Sequence, residues 1–498
     1  MAQSSRVKKS IKNISYSLLG YVCLTMLQLV NRLIFVQFLP IEYLGIHGLF
    51  TNIITILSLS ELGVGTAIVY ALYKPVAENR IEKIKSLMAL YKKIYTIIGF
   101  SVMALGVLLT PFLHLLIRDK PDIKYLRVYF LLYVLNAGIS YFYTYKRSLI
   151  ICNQDEYISS LTMMFTSIGN RLCQIIVLYL TKSFLLYLIV QIIFTRLENV
   201  IIARIADQKY PYLKDKDCKP LEKEETDGIK KNVMAMMIHN VGNVVVNATD
   251  NVIVSKILGL ASVGILSNYT MVFDLVSGAI MKIFTSIAPS LGNLVALEKK
   301  EKTEGTLYQI LFLNFWIVSS CTICLYCLCQ PFIELWLGKS YLLSQSMVAV
   351  LSACFYITGM RRTVLHFRNA AGLFWQDRYK AIAESLVNLT VSIPLTLSMG
   401  LIGVKIGTLI SMAGIAFWME PYVLFKYYFK KSAGRYMTVQ ILYGVVTIIS
   451  AYVLNRICMM IPAVTIGSFI IKIAICVIPI NVIILLVYWF TQRKRPQI

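Results

Sequence analysis

Among the ionisable residues that interrupt long apolar runs, Arg32, Arg171 and Lys282 are basic, and Glu61, Asp250 and Asp274 are acidic. A charge held at membrane depth costs several kcal/mol unless it meets a partner or a water-filled cavity, so each is a functional candidate. Two chemistries are open for the arginines. Facing a cleft, Arg32 and Arg171 would hold an anion, because a guanidinium offers a planar fork that matches phosphate or carboxylate oxygens. Facing protein, Arg32 would pair with Asp250, which lies at similar depth in its own run, and Arg171 with Glu198. Glu61 and Asp274 would carry a proton or a metal cation, or else accept hydrogen bonds from neighbouring helices. Lys282 and Lys472 lie nearer the ends of their runs, where a lysine reaches the interface along its own stem. Arg196 and Glu198 are two residues apart and do not face each other on a helix.

Other reactive residue types give weaker patterns. The 11 cysteines are odd in number and lie mostly inside apolar runs, so they form no disulfide framework. Cys321, Cys324, Cys327 and Cys329 crowd one apolar segment, where cysteine acts as a small hydrophobe, and no metal site is expected from them. The four histidines, His47, His114, His239 and His366, show no ligand spacing, and no cofactor is expected. Tyr133, Tyr141, Tyr143 and Tyr145 fall on one segment, as platforms for sugar rings or as an interfacial belt.

The elements that must position these residues follow from composition. The chain has 498 residues, 57% of them hydrophobic and only 15% charged, with a mean hydropathy of +0.68. Soluble domains carry about 25% charged residues, so this is an integral membrane protein. Apolar runs recur near residues 16–39, 43–73, 89–116, 128–145, 158–180, 184–206, 232–258, 263–287, 307–329, 347–366, 381–400, 404–425, 438–454 and 466–490. The expected fold is all-α and polytopic, with about 14 transmembrane helices. The first run follows Arg6, Lys8, Lys9 and Lys12 and is too long for the core of a cleaved signal, so it is expected to be a span. No connection is long enough for a soluble catalytic domain.

Charge sets orientation. The net charge of +24 arises from loops rather than from a nucleic-acid module, and no nucleic-acid partner is expected. With both termini inside, 36 of the 49 lysines and arginines fall in inner segments and nine in outer loops. That asymmetry favours a cytoplasmic N- and C-terminus. The outer stretch Arg118–Arg127, with four basic residues, runs against it.

An internal repeat divides the chain. A shift of 219 positions places Asn31-Arg32-Leu33-Ile34 on Asp250-Asn251-Val252-Ile253, Leu39 on Leu258 and Gly45-Ile46 on Gly264-Ile265. Further on, Lys146-Arg147-Ser148 matches Arg361-Arg362-Thr363, and Gln154-Asp155-Glu156-Tyr157 matches Gln376-Asp377-Arg378-Tyr379. The expected organisation is a six-helix bundle over 1–206, a charged linker over 207–231, a second six-helix bundle over 232–430 and two further helices over 431–498. Repeats of this kind are common in secondary transporters.

The stretch Glu42-Tyr43-Leu44-Gly45-Ile46-His47-Gly48-Leu49-Phe50, then Leu57-Ser58-Leu59-Ser60-Glu61-Leu62-Gly63-Val64-Gly65-Thr66-Ala67-Ile68, resembles the opening of bacterial polysaccharide flippases. These are the Wzx-like oligosaccharide-lipid translocases of the multidrug/oligosaccharidyl-lipid/polysaccharide exporter superfamily. His47 departs from the pattern, which carries an aromatic residue there. The resemblance implies a V-shaped pair of bundles around a cationic cavity that opens alternately to each side of the bacterial inner membrane. It implies a polyisoprenyl-pyrophosphate-linked oligosaccharide as substrate, membrane lipids and polysaccharide-assembly proteins as partners, and transport rather than enzymatic chemistry. By position, Arg32, Arg171 and Lys282 are the expected substrate contacts, and Glu61, Asp250 and Asp274 the candidates for a coupling Na⁺ or H⁺. The rival readings are a cation-coupled multidrug exporter, a peptidoglycan-precursor flippase and, from another class, a membrane polysaccharide polymerase or glycosyltransferase.

Overall fold

A computed structural model describes residues 2–61, 64–118, 123–153, 155–215, 221, 248–373, 376–377, 379–461 and 465–492. These residues are helical throughout their ordered elements, with no strand among them. Seven helices precede the central stretch: α1 Ala2–Phe38, α2 Ile41–Leu57, α3 Val64–Ala77, α4 Ile81–Leu109, α5 Leu126–Cys152, α6 Glu156–Thr181 and α7 Phe184–Lys209. A helical segment at residues 248–258, α8, follows. Then come α9 Leu260–Leu297, α10 Lys300–Leu337, α11 Gln345–Ala370, α12 Lys380–Met399, α13 Leu401–Ser411, α14 Phe417–Val423, α15 Gly434–Met459 and α16 Ile466–Gln492.

Among the described residues eleven helices are long and apolar enough to cross a membrane, and the shorter Ile41–Leu57 is apolar as well. Their outer faces carry Leu180 at 71% exposure, Leu397 at 69% and Ile448 at 70%. So much exposed aliphatic surface is compatible only with a hydrocarbon surround. The run expected as one span over 43–73 is broken: α2 ends at Leu57 and a 3₁₀ turn over Ser58–Glu61 precedes α3. The break falls at Glu61, whose carboxylate leaves the helix face to meet tyrosine hydroxyls. The charged stretch 207–231 lies mostly outside the described residues.

The chain separates into two compact units, Met1–Gly264 and Ile265–Ile498. In the first, α1 packs on α6, α4 on α5, and α7 on both α5 and α6. One core cluster joins Phe35, Leu39, Phe50, Phe130, Tyr133, Phe184 and Tyr187, and a second joins Tyr91, Tyr95, Val102, Tyr141 and Leu149. In the second unit α10 packs on α11, α15 and α16, and α12 packs on α13. Small residues let the α12–α13 pair approach closely: a methyl group on Gly403 would lie 2.0 Å from Leu395 O, and one on Gly407 2.2 Å from Ser392 Oγ.

α2 and the segment around residue 260 meet in the same way. A methyl group added at Gly45 would lie 2.0 Å from Leu260 O, and one at Gly264 would lie 2.6 Å from Ile41 O. The shift of 219 carries Ile41 onto Leu260 and Gly45 onto Gly264. The two repeats therefore contribute the same glycine and the same carbonyl to a reciprocal contact within the first unit. The basic stretch that ran against the orientation count has a local role as well. Arg118 Nη1 donates to Ile257 O at 2.9 Å and its backbone N–H to Ser255 O at 3.2 Å, capping the C-terminal carbonyls of α8.

Candidate functional site

The first unit gathers a polar cluster between α1, α2, α5, α6 and α7. Asn31 of α1 donates to Gln174 Oε1 at 3.1 Å and to Tyr187 Oη at 3.3 Å, and Gln174 Nε2 donates to Tyr187 O at 3.4 Å. These bonds tie α1, α6 and α7 together one residue from Arg32 and one helical turn from Arg171. Tyr187 is wedged against Phe35, ring centroids 5.4 Å apart, and stacks on Phe184. Tyr133 of α5 bonds His47 of α2, Oη to Nδ1 2.5 Å.

Arg32 and Arg171 both act electrostatically on Tyr187, on each other and on His47. The two guanidinium groups thus lie within electrostatic reach of each other on α1 and α6, which pack together. Among the described residues no carboxylate forms a salt bridge with Arg171, and its buried Nε has no hydrogen-bond partner. Neighbouring Asn170 Oδ1 and Asn31 Oδ1 are also buried without partners. Buried polar atoms are nearly always satisfied, so Arg171 Nε, Asn170 Oδ1 and Asn31 Oδ1 keep hydrogen-bonding capacity for a further polar group. Glu198, the alternative partner for Arg171, is bonded to Arg147 and accepts from Thr166 Oγ1 at 3.4 Å. The motif position His47 thus faces the cationic cluster through Tyr133.

The remaining sequence candidates lie elsewhere. Glu61 accepts from Tyr95 Oη at 3.2 Å, and Tyr91, 3.5 Å from the Tyr95 hydroxyl, continues the chain to Ser148 Oγ at 3.1 Å. Asp250 is buried on α8 at 4% exposure. Lys282 and Asp274 are exposed side chains of α9 in the second unit, and Asp274 interacts electrostatically with Lys405. Arg196 lies 4.7 Å over the Tyr143 ring and lines an open cleft of about 570 Å³ with Ile139, Phe142, Ile192 and Ile193, apart from the arginine pair.

The second unit holds a buried ionic cluster that single-residue depth did not reveal. Glu420 Oε1 accepts from Arg361 Nη2 at 2.6 Å and from Lys380 Nζ at 2.5 Å, and its Oε2 accepts from Arg361 Nε at 3.0 Å. Glu384 lies 3.6 Å from Arg361, and Arg368 and Lys380 both pair with Asp377. Among the described residues three cations face three anions, so their formal charges cancel. The repeat match had already marked Arg361 and Asp377, but as sequence similarity rather than as ion partners.

The helices define a polytopic all-α membrane protein. The family model described as "Polysaccharide biosynthesis protein" matches residues 10–295, more than half of the chain, and the chain belongs to that family. No curated protein sequence is significantly similar to it. The fold is similar to that of the lipid II flippase MurJ in an inward closed conformation, at 16% identity and a TM-score of 0.69, covering 96% of this chain and 99% of that one. It is similar to an inward-facing MATE multidrug transporter of the MOP superfamily at 14% identity and a TM-score of 0.66, covering 82% of this chain and 98% of that one. It is also similar to the Vibrio cholerae MATE transporter VcmN at 16% identity and a TM-score of 0.60, covering 87% and 99% of the two chains.

Proposed function

We propose that this chain moves an anionic lipid-linked oligosaccharide, a polyisoprenyl-pyrophosphate carrying a repeat unit, from the inner to the outer leaflet of the bacterial inner membrane. Arg32 and Arg171 are the contacts for the pyrophosphate, with Lys282 a further cation. The observation that carries the reading is the pairing of Arg32 and Arg171 beside Tyr187, with no carboxylate salt bridge to Arg171 among the described residues. Two like charges held close in an apolar layer repel each other, and an anion that arrives between them relieves that repulsion. Family membership adds the polysaccharide context. An inside-negative potential favours outward movement of negative charge by about 2.3 kcal/mol per charge per 100 mV.

The test is export of cell-surface polysaccharide measured together with membrane abundance. Each charge-assisted hydrogen bond is worth about 1.5–3 kcal/mol, so Arg171→Ala is expected to slow export about 10- to 100-fold at normal abundance. Arg171→Lys should recover part of it, because the ammonium keeps the charge and loses the fork. Normal export from both Arg32→Ala and Arg171→Ala overturns the reading. Accumulation of a peptidoglycan precursor instead of lipid-linked oligosaccharide would transfer the site to that substrate.

Glu61 is proposed as the coupling-cation residue ahead of Asp250 and Asp274, because the Tyr95 hydroxyl holds its carboxylate and no lysine or arginine pairs with it among the described residues. Glu61→Gln should leave substrate binding intact and remove any dependence of export on an Na⁺ or H⁺ gradient. Retention of that dependence excludes Glu61 from coupling.

A further inference from the structure

Three cysteines from three helices of the second unit converge. Cys327 comes from α10, Cys458 from the last turn of α15 and Cys476 from α16, and their sulfurs all lie within 4.8 Å of one another. Cys458 Sγ and Cys476 Sγ are 3.7 Å apart. Exposures are 4%, 3% and 0%. Of the four cysteines crowded on α10, only Cys327 belongs to the set.

Packing alone accounts for one buried cysteine, but two further observations set this group apart. The first is geometric. Metal–thiolate bonds of about 2.3 Å, at trigonal or tetrahedral angles, require sulfurs roughly 3.8–4.0 Å apart, so only small movements separate the present spacing from a coordination shell. The second is electrostatic. Lys472 lies one turn before Cys476 on α16, is 6% exposed, and acts on Cys458. Among the described residues it forms no salt bridge with a carboxylate. A lysine buried at membrane depth needs compensating negative charge.

We propose that Cys327, Cys458 and Cys476 form a binding site for a soft divalent cation of the zinc and cadmium class, with Lys472 as the balancing charge. Three thiols give up three protons as the ion binds, which leaves a metal–trithiolate of charge −1 beside an ammonium of charge +1. The sum is zero, which an apolar layer tolerates. A monovalent ion on the same three thiolates would leave a net negative charge, so the site favours the divalent class. The ion would bind α15 and α16 to α10 and so fix the C-terminal helix pair to its bundle.

The experiment uses the full-length chain, purified in detergent under reducing conditions and titrated with Cd²⁺ alone. The expected result is one Cd²⁺ per chain, a new thiolate-to-metal charge-transfer absorption, and release of about three protons per ion. Cys327→Ser, Cys458→Ser and Cys476→Ser should each lose the band, whereas Cys23→Ser and Cys354→Ser should keep it. A readout on the unsubstituted protein guards against variants that fail to fold: bound Cd²⁺ should slow alkylation of the three cysteines and leave Cys23 unaffected. The proposal is overturned by Cd²⁺ that leaves all three alkylation rates unchanged, by a band that survives any of the three substitutions, or by a Cys458–Cys476 disulfide in membranes whose thiols were blocked before lysis.

Discussion

Glu420 and Arg171 are both charged residues inside apolar helices, yet their surroundings assign them opposite roles. Glu420 is fully buried and accepts three charge-assisted hydrogen bonds from Arg361 and Lys380. Its cluster sets three cations against three anions among the described residues. Arg171 has a second arginine for a neighbour and unsatisfied polar atoms around it. The first arrangement pairs opposite charges, and the second is the one proposed above to receive an anion. Glu420→Gln should therefore act on stability. Removing one partner of a buried ion pair costs about 3–5 kcal/mol because it leaves the other uncompensated. The expected outcome is a lower melting temperature of the detergent-purified protein, partly restored by Lys380→Met, which removes one of the orphaned cations. An unchanged melting temperature for Glu420→Gln would mean that the cluster does not hold the fold. The sequence made Arg32 and Arg171 visible because each stands alone in an apolar run. It hid Glu420, Lys380 and Glu384, because charges near the ends of runs look like ordinary loop residues until three helices bring them together.

At the scale of the element, departures from regular helix fall where charges must be presented. The 3₁₀ turn at Ser58–Glu61 delivers Glu61 to Tyr95. π-helical turns at Met412–Ala416 and Leu424–Phe429 bracket the short α14, which carries Glu420. Hydropathy fixed the existence of these spans because each is roughly a bilayer thickness of apolar residues. It could not locate their breaks, since wide turns and tight turns carry the same residues and differ only in what the backbone carbonyls meet. The repeat was legible for another reason: glycine is required where two backbones touch. Gly45 and Gly264 each press on a carbonyl of the segment containing the other, a contact that leaves no space for a side chain. Gly45→Val and Gly264→Val should therefore each reduce membrane abundance severalfold. Gly414→Val has open space around its α-carbon and should not. If Gly45→Val accumulates like the parent chain, the close approach of α2 to residue 260 is not formed in the folded protein.

For the whole molecule the open question is orientation, and the ion pairs bear on it independently of the count of basic residues. In the first unit Lys146 pairs with Asp207 at 2.6 Å, Lys209 with Asp155 and Lys85 with Asp215 at 3.0 Å. These residues lie near the start of α4, the end of α5, the start of α6 and the end of α7 or just beyond it, which alternation places on one side of the membrane. In the second unit Lys431 pairs with Glu304 at 2.6 Å, and the Arg361–Glu420–Lys380 cluster joins the end of α11, the start of α12 and α14. These too are ends that the charge count assigns to the cytoplasm. At the opposite ends the described residues show a single weak pair, Lys339 with Glu334 at 3.7 Å. A side rich in both signs of charge, with basic residues in excess, is the cytoplasmic side of a polytopic protein. Arg118, which weakened the count, is occupied in capping α8 and is no sign of a reversed loop. Epitope tags placed after Ile498 and within residues 207–231 should therefore both resist protease added to intact spheroplasts and become sensitive once the membrane is broken. A tag after Lys182, between α6 and α7, should be cleaved from outside. Cleavage of either of the first two from outside would invert or break the alternation, and with it the direction in which the arginine pair is proposed to pass its anion.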